Sequence, residues 1–419
     1  MEIRKLLPKY ILEKRDHKMI CVIGLGYIGL PTALMFAKNG RQVVGVDKNE
    51  SLVNKLKCGE VTFDEKGLLE LYNEACNNQI EFMDHSVEAD YYIIAVPTPY
   101  EADTKKIDPT YVVNAVNDVL DVCPDGAIIA IESTISPGTI DKFVRPLLEV
   151  RGKQVKLAHV PERIIPGNML RELVENNRTI GVDEKETGED LKELYSSFCK
   201  GILTVTDIRT AEMTKVVENT FRDVNIALAN ELAKICDRDG LDVYEVINIA
   251  NMHPRVNILQ PGPGVGGHCI SVDPWFLVGD HPVIAKLIHE ARNVNDSMPY
   301  YVWDKIQTIM EKEHISLDRV GLYGITYKAD VDDIRESPSL KLLDIIEKSN
   351  VNKCVKVYDP MVKRDVVPNQ YHSFDDFIDS VDMVVILVGH TEVKENANKL
   401  NNKIVYDTRN VRGGGDKNI

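Results

Sequence analysis

Short apolar, β-branched runs alternate with longer segments of helical periodicity through the first half of the chain. Runs at 19–24, 42–47, 91–96, 127–131, 155–160 and 178–182 have the length of buried strands. Their alternation with helix-length segments predicts a parallel sheet with crossover helices. From Asp207 to Asp239 the pattern changes to one helical stretch with neither proline nor glycine. It opens on an aspartate suited to capping and closes before Gly240. A helix of that length reads as a spine between domains rather than a crossover. A loop rich in proline and glycine follows at 252–274, then further helix to about Lys312. A second alternation at 319–324, 355–359, 383–388 and 404–408 predicts a smaller α/β domain. The expected fold is α/β, with two Rossmann-like doubly wound domains joined by a long central helix. The expected segments are residues 1–206, 207–315 and 316–419.

Composition narrows the partners. The 419 residues are enough for two or three cores, and the 44% hydrophobic and 27% charged fractions are ordinary for a soluble globular chain. A formal charge of −15 argues against nucleic acid, and any anionic ligand would have to meet a local cluster of Lys and Arg. The eight cysteines show no paired C-x-x-C spacing, which speaks against a disulfide framework and against zinc, so no metal is expected. Met1 to Lys18 lacks the apolar core of a secretory signal, and no run approaches the ~20 apolar residues of a membrane span. A reducing cytoplasm is the expected setting, without a membrane partner. The tail Gly413-Gly414-Gly415-Asp416 is expected to be mobile.

Two glycine-rich segments carry the chemistry. Gly24-Leu25-Gly26-Tyr27-Ile28-Gly29 follows the first strand run, a helical stretch from Pro31 to Asn39 comes next, and Asp47 ends the second run. In that context the glycines admit a pyrophosphate at a helix N-terminus, and the acid bonds the ribose hydroxyls. Asp47 would repel a 2′-phosphate, so NAD is the expected cofactor. A tight strand–helix turn without ligand is the alternative. Thr98, in Val96-Pro97-Thr98-Pro99, and Thr134, after Glu132-Ser133, end later strands, where loops meet a cofactor or simply cap a turn.

The second segment is Pro261-Gly262-Pro263-Gly264-Val265-Gly266-Gly267-His268-Cys269. It delivers a thiol at the end of a backbone that a substrate can approach closely. Most free cysteines are small buried hydrophobes, as expected for Cys21, and Cys269 stands apart through its glycine-rich approach. Lys215, Asn219 and Arg222 share one face of the long helix, either a solvated stripe or the cation that activates the thiol and stabilises an oxyanion. Asp273 is placed to orient a water. His268 is not assigned as a base, because sequence neighbours need not face the same way.

These residues resemble the nucleotide-sugar 6-dehydrogenase family of UDP-glucose/GDP-mannose type. The resemblance spans nearly the whole chain and includes His159-Val160-Pro161-Glu162-Arg163, the Lys215 to Arg222 stretch, Tyr327-Lys328-Ala329-Asp330 and Asp333-Ile334-Arg335-Glu336-Ser337. It implies oxidation of a sugar C6 alcohol to the carboxylate with two NAD, through a thiohemiacetal and a thioester on Cys269. It implies that Lys215 stabilises the oxygen, that Asn219 and Asp273 hold the water, and that Glu162 acts in acid–base or water positioning. Gly24, Gly26, Tyr27, Ile28, Gly29, Asp47, Thr98, Thr134 and Arg335 would contact NAD. Arg163, Ile164, Lys215, Asn219, Arg222, Gly266, Tyr327, Lys328 and Arg409 would line the substrate site. Arg255, with His253 beside it, would reach in from a neighbouring subunit.

The three segments then become an NAD-binding domain, a dimerising region with the thiol loop, and a UDP-sugar-binding domain. The assembly would be a homodimer or larger, with the long helix at its interface. The wording Gly266-Gly267-His268-Cys269-Ile270-Ser271-Val272-Asp273 is nearest to members that act on a UDP-N-acetylhexosamine. UDP-N-acetyl-D-mannosamine is the first expectation and the N-acetylglucosamine epimer the rival, with UDP-glucose a poorer fit. A single-step hydroxyacid dehydrogenase and a non-catalytic nucleotide-sugar sensor are the readings from other classes.

Overall fold

A computed structural model describes residues 18–77, 80–267, 269–349 and 354–412. The segment before Lys18, His268 and the tail 413–416 lie outside the described residues. By internal contact the chain divides into two units, one ending at Val216 and one beginning at Val217.

The first unit is built on eight strands: β1 Met19–Ile23, β2 Gln42–Val46, β3 Ile80–Met83, β4 Tyr91–Ile94, β5 Ile128–Ile131, β6 Lys156–His159, β7 Arg178–Val182 and β8 Leu203–Thr206. They lie in the order β3-β2-β1-β4-β5-β6-β7-β8. The first six strands in that order pair in parallel. Helices on both faces of such a sheet leave no wet side, so the central strands are apolar throughout: Ile20, Cys21 and Val22 on β1, and Ile129, Ala130 and Ile131 on β5, are fully buried.

One expectation is corrected here. The runs at 155–160 and 178–182 belong to the sheet, but β7 runs antiparallel to β6, with Ala158 opposite Val182. The connection holds only a loop and the seven-residue helix Met169–Glu175. A parallel return needs a crossover back to the starting edge. Here the chain re-enters from the edge where β6 ends, so residues 160–177 stay at the carboxyl end of the sheet.

The long helix runs Ile208–Asp239. The Asp207 carboxylate accepts the Thr210 amide at 2.9 Å, which caps its start. At its end the Leu241 amide donates back to the Cys236 carbonyl at 2.8 Å, a closing bond that lets the chain leave at Gly240.

The second unit carries five parallel strands, β9 Val320–Tyr323, β10 Lys356–Tyr358, β11 Gln370–Tyr371, β12 Met383–Ile386 and β13 Ile404–Asp407, in the order β11-β10-β9-β12-β13. It also holds helices Val243–Ala250, Asp273–Asp280 and Lys286–Glu313, the last with Pro299 inside it. Among the described residues no helix is long and apolar enough to cross a membrane, and no group of His, Cys, Asp and Glu could hold a metal ion.

Within the first unit Arg178 on β7 pairs with Glu132 just past β5, both almost without solvent contact. The guanidinium also lies over the Tyr195 ring, 4.6 Å from its centroid. Removing one partner of a buried pair strands the other charge and costs about 3–5 kcal/mol. Arg178→Met is therefore expected to lower the unfolding free energy, read from urea titration of the whole chain, by about 3–5 kcal/mol. A shift indistinguishable from zero would show that Glu132 can take up a proton without penalty.

Candidate active site

The chain leaves β1 through a turn shaped by its glycines. Gly24 adopts φ +89°, the left-handed region, and a Cβ there would overlap the Ala95 carbonyl. A Cβ at Gly29 would overlap the Gly24 carbonyl, so the helix Gly29–Lys38 starts hard against the turn. Around Gly26 a Cβ would meet nothing within 4 Å, which leaves the outer side of the turn open. Asp47, just past β2, is half-buried and accepts the Leu25 amide at 2.8 Å on one oxygen and the Asn49 amide at 2.9 Å on the other. Tyr27 and half-buried Ile28 follow, the Tyr27 ring 4.4 Å from that of Phe63. Thr98 is buried and Thr134 half-buried, beyond the carboxyl ends of β4 and β5. An open glycine turn at a helix N-terminus, with an acid closing the next strand, fits NAD.

At the same edge of the first unit, the loop after β6 is held by carboxylates that accept main-chain amides. Glu162 is buried and accepts from Ile164. Glu65 accepts from Gly167 at 2.7 Å and Met169 at 3.0 Å, and Glu172 accepts from Ile165 at 2.7 Å. Arg163 donates to the Asn177 carbonyl at 2.6 Å and to Thr179 Oγ1 at 2.9 Å, and Ile164 is buried beside it. Lys215, on the spine helix, is 6% exposed. His159, at the end of β6, is fully buried and donates Nδ1–H to the Ile131 carbonyl at 2.9 Å. Burial, reinforced by the Lys215 charge, pulls its pKa down to about 3, so the ring is neutral.

The second unit holds the thiol. Asn219 donates Nδ2 to Asp273 Oδ2 at 2.6 Å, and both side chains are buried. Asp273 opens the helix Asp273–Asp280, and its amide donates to the Cys269 carbonyl at 2.9 Å, so carboxylate and thiol stand one turn apart. Cys269 is half-exposed, while Cys21 is buried as expected. The backbone leading to the thiol is pressed against the loop after β9. The Gly267 amide donates to the Arg335 carbonyl at 3.0 Å, and a Cβ at Gly267 would come within 2.9 Å of the Tyr327 ring. Gly266 has the Glu336 carbonyl where its Cβ would go, at 2.7 Å. The Arg409 guanidinium occupies the space beside Gly262, and its Nε donates to the Leu387 carbonyl at 3.0 Å.

Of the remaining expected residues, Arg335 is ion-paired with Asp333 at 2.6 Å and Lys328 is half-buried. Arg222, His253 and Arg255 are exposed, so the basic face expected on the long helix splits, with Lys215 and Asn219 inside and Arg222 outside. Sequence reasoning missed three groups. One is neutral His159. Another is Glu212, which lies a turn before Lys215 and is fully buried. The third is the buried pair of Asp223 with Arg292 at 2.6 Å. Glu212 had a visible signal, since it precedes Lys215 and Asn219 on the same helical periodicity.

The first unit carries a dinucleotide turn and the second a glycine-rich loop that ends on a partly exposed cysteine, features in keeping with an NAD-dependent dehydrogenase. The chain belongs to the UDP-glucose/GDP-mannose dehydrogenase family. The family's NAD binding domain matches residues 18–199, its central domain 209–297 and its UDP binding domain 321–413. The UDP-N-acetyl-D-mannosamine dehydrogenase of Methanococcus vannielii is 47% identical over 95% of this chain and 94% of its own length. A native structure of the Staphylococcus aureus UDP-N-acetyl-mannosamine dehydrogenase superposes with TM-score 0.86 at 42% identity, covering 96% of this chain and 97% of that one. The UDP-D-ManNAc dehydrogenase of Pyrococcus horikoshii gives TM-score 0.88 at 37% identity, covering 96% and 98%.

Replacing Asp47 removes the carboxylate expected to meet the ribose hydroxyls and also frees the Leu25 and Asn49 amides. Asp47→Ala is expected to weaken NAD about 10- to 100-fold, as for loss of a charged hydrogen-bond acceptor. The same change should narrow the preference over NADP, measured by fluorescence titration with each nucleotide. An unaltered ratio of the two affinities would remove the ribose assignment.

Proposed function

We propose that this chain oxidises the C6 alcohol of UDP-N-acetyl-D-mannosamine to the carboxylate. Four electrons leave the carbon, so two NAD are reduced for each sugar. The observation that carries this reading is the half-exposed Cys269 one turn ahead of the buried Asp273–Asn219 pair, in a chain that also bears a dinucleotide turn. The choice of sugar is supported by 47% identity, across almost the full length of both chains, to a protein named for that substrate.

NAD, held by Gly24, Gly26, Gly29 and Asp47, supplies the hydride acceptor. The chain's own residues do the rest. The Cys269 thiolate adds to the C6 aldehyde left by the first oxidation, forming a C–S bond and pushing electrons onto oxygen. Lys215 meets that oxyanion with a cation. Loss of a second hydride from the same carbon leaves a thioester on Cys269. Asp273, aligned by Asn219, and Glu162 hold the water that attacks it. The C–S bond breaks, the thiolate leaves, and the acid is released. Covalent capture keeps a reactive aldehyde in place while one nucleotide is exchanged for the next. Arg163, Arg222, Lys328 and Arg409 supply the positive groups that a diphosphate needs in a chain of net charge −15. Ile164, Gly266 and Tyr327 complete the lining.

The working assembly is a homodimer or larger. Val217, Phe221, Leu228 and Ile235 on the spine helix are all exposed, Phe221 by 64%, and their spacings of four, seven and seven residues keep them on one helical face. His253 and Arg255, also exposed, are the residues offered to a neighbour's substrate.

Incubation of the purified chain with UDP-linked N-acetylmannosamine, N-acetylglucosamine, N-acetylgalactosamine and glucose should give two NADH per sugar consumed, fastest with N-acetylmannosamine. A ratio of one would instead indicate a single-step alcohol oxidation. Cys269→Ala should abolish carboxylate formation while NAD still titrates with wild-type affinity. Phe221→Asp should shift sedimentation toward the monomer, and an unchanged sedimentation coefficient would exclude the spine face as the contact.

A further inference from the structure

Glu212 has no part in the chemistry above, yet it lies three residues before Lys215 on the same helix, and its side chain is fully buried. Burial pushes its pKa up to about 7, so keeping an ionised group there is costly unless its oxygens are satisfied. Both are satisfied by main chain. One oxygen accepts the Gly138 amide and the other the Ile140 amide at 3.0 Å. Those amides begin the helical stretch formed by the π turn Ile140–Val144 and the helix Arg145–Arg151. A carboxylate at that end meets groups that would otherwise lack partners.

The segment so held starts at the carboxyl end of β5. Ser133 is tied there by its hydroxyl, which donates to the Val96 carbonyl at 2.7 Å. Thr139 closes the far side by donating Oγ1 to the Ser136 carbonyl at 2.6 Å. Thr134 lies between the two ties. On the helix side, Glu212 and Lys215 are three residues apart and therefore neighbours on the helix surface. Asp141 and Arg209 are the other charged groups that act on the carboxylate.

We propose that Glu212 is a positioning residue for the oxidation: its two hydrogen bonds lock the Thr134 segment onto the turn of the spine helix that presents Lys215. The proposal rests on the reading of function given above, with Thr134 serving NAD and Lys215 the oxyanion. It adds that cofactor loop and cation are set in register by one side chain. Thr134 and Lys215 belong to different elements, and this carboxylate's bonds to Gly138 and Ile140 tie the one segment to the other.

Glu212→Gln keeps the size but offers one acceptor to two donors. The expected result is a fall in kcat of about 10- to 100-fold, the scale of loss when reacting groups are misplaced by about an ångström. The KM for NAD should rise severalfold and that for the UDP-sugar should change less than about twofold. Glu212→Asp, which keeps two acceptors on a shorter arm, should recover part of kcat. Amide hydrogen exchange at Gly138 and Ile140 should accelerate in the Gln variant. A Gln variant with wild-type kcat and wild-type protection of those amides overturns the proposal. So does a loss in which kcat and both KM values follow a lowered melting temperature, without rescue by Asp. Should the Gln variant fail to fold, the Asp variant decides by the same two readouts. If wild-type chain reduces no NAD with any UDP-sugar, the reading of function fails, while amide exchange and NAD titration still decide whether the clamp exists.

Discussion

The Asp223–Arg292 pair is sealed from water on both sides, and a chain of buried hydrogen bonds in the second unit starts from it. Arg292 comes from the helix Lys286–Glu313 and Asp223 from the spine helix, so their contact joins the two longest helices of the chain. From there the bonds run outward. Asn295 donates to Asp223 at 2.8 Å, Asn230 donates to Asn295 at 2.9 Å, and the Gly262 amide donates to Asn230 at 2.8 Å. The start of the thiol loop is thereby fixed to the helix pair. Yet Asp223 Oδ2 and Arg292 Nε have no hydrogen-bond partner among the described residues. Desolvation of a buried ion pair offsets most of its attraction, and unpaired atoms increase the deficit. The value of this network is therefore geometric rather than energetic: it specifies where the loop begins.

A related economy operates at the carboxyl edge of the first sheet. The chain is strongly acidic, yet several of its carboxylates near the expected ligand face inward to main-chain amides. Asp47 serves Leu25 and Asn49, Glu65 serves Gly167 and Met169, and Glu162 serves Ile164. A carboxylate that accepts two amides has spent its charge locally, and its field beyond them is weakened. This is how a protein of formal charge −15 can shape loops with acids and still leave room for a dinucleotide and a diphosphate. It also explains why loops near a site need not be flexible, since each is pinned by a side chain from elsewhere in the unit.

Much of this was legible in the sequence, and the failures have physical causes. The spine helix was plain because nothing from Ile208 to Asp239 interrupts helical periodicity. Strands β1 and β5 were plain because both faces are buried, which leaves uninterrupted apolar runs. β3 and β8 were missed, since Glu81 interrupts the first and the second is only partly buried. The direction of β7 was not written in its residues, because direction depends on where the preceding chain turns. The spacing of Cys269 and Asp273 showed in the sequence, whereas the partnership of Asp273 with Asn219 came only through a family likeness. Glu212 was passed over for a different reason: its partners are backbone amides of a distant segment, and amides carry no side-chain signature.

His159 illustrates why a motif residue needs its surroundings before it is given a role. It stands in the His159-Val160-Pro161-Glu162-Arg163 stretch, next to groups assigned to chemistry, and a histidine there invites the role of general base. A carbonyl oxygen only accepts, so the bond to Ile131 requires the proton to reside on Nδ1. The lone pair is then on Nε2, which is buried and has no hydrogen-bond partner among the described residues. A base must take up a proton near working pH, and burial has driven this ring far below that range. A neutral ring suits its neighbour instead. A charged imidazolium would repel Lys215, whereas a fixed tautomer presents that lysine with no competing cation. His159 therefore adds no positive charge beside Lys215, and its burial and fixed tautomer remove it as a general base.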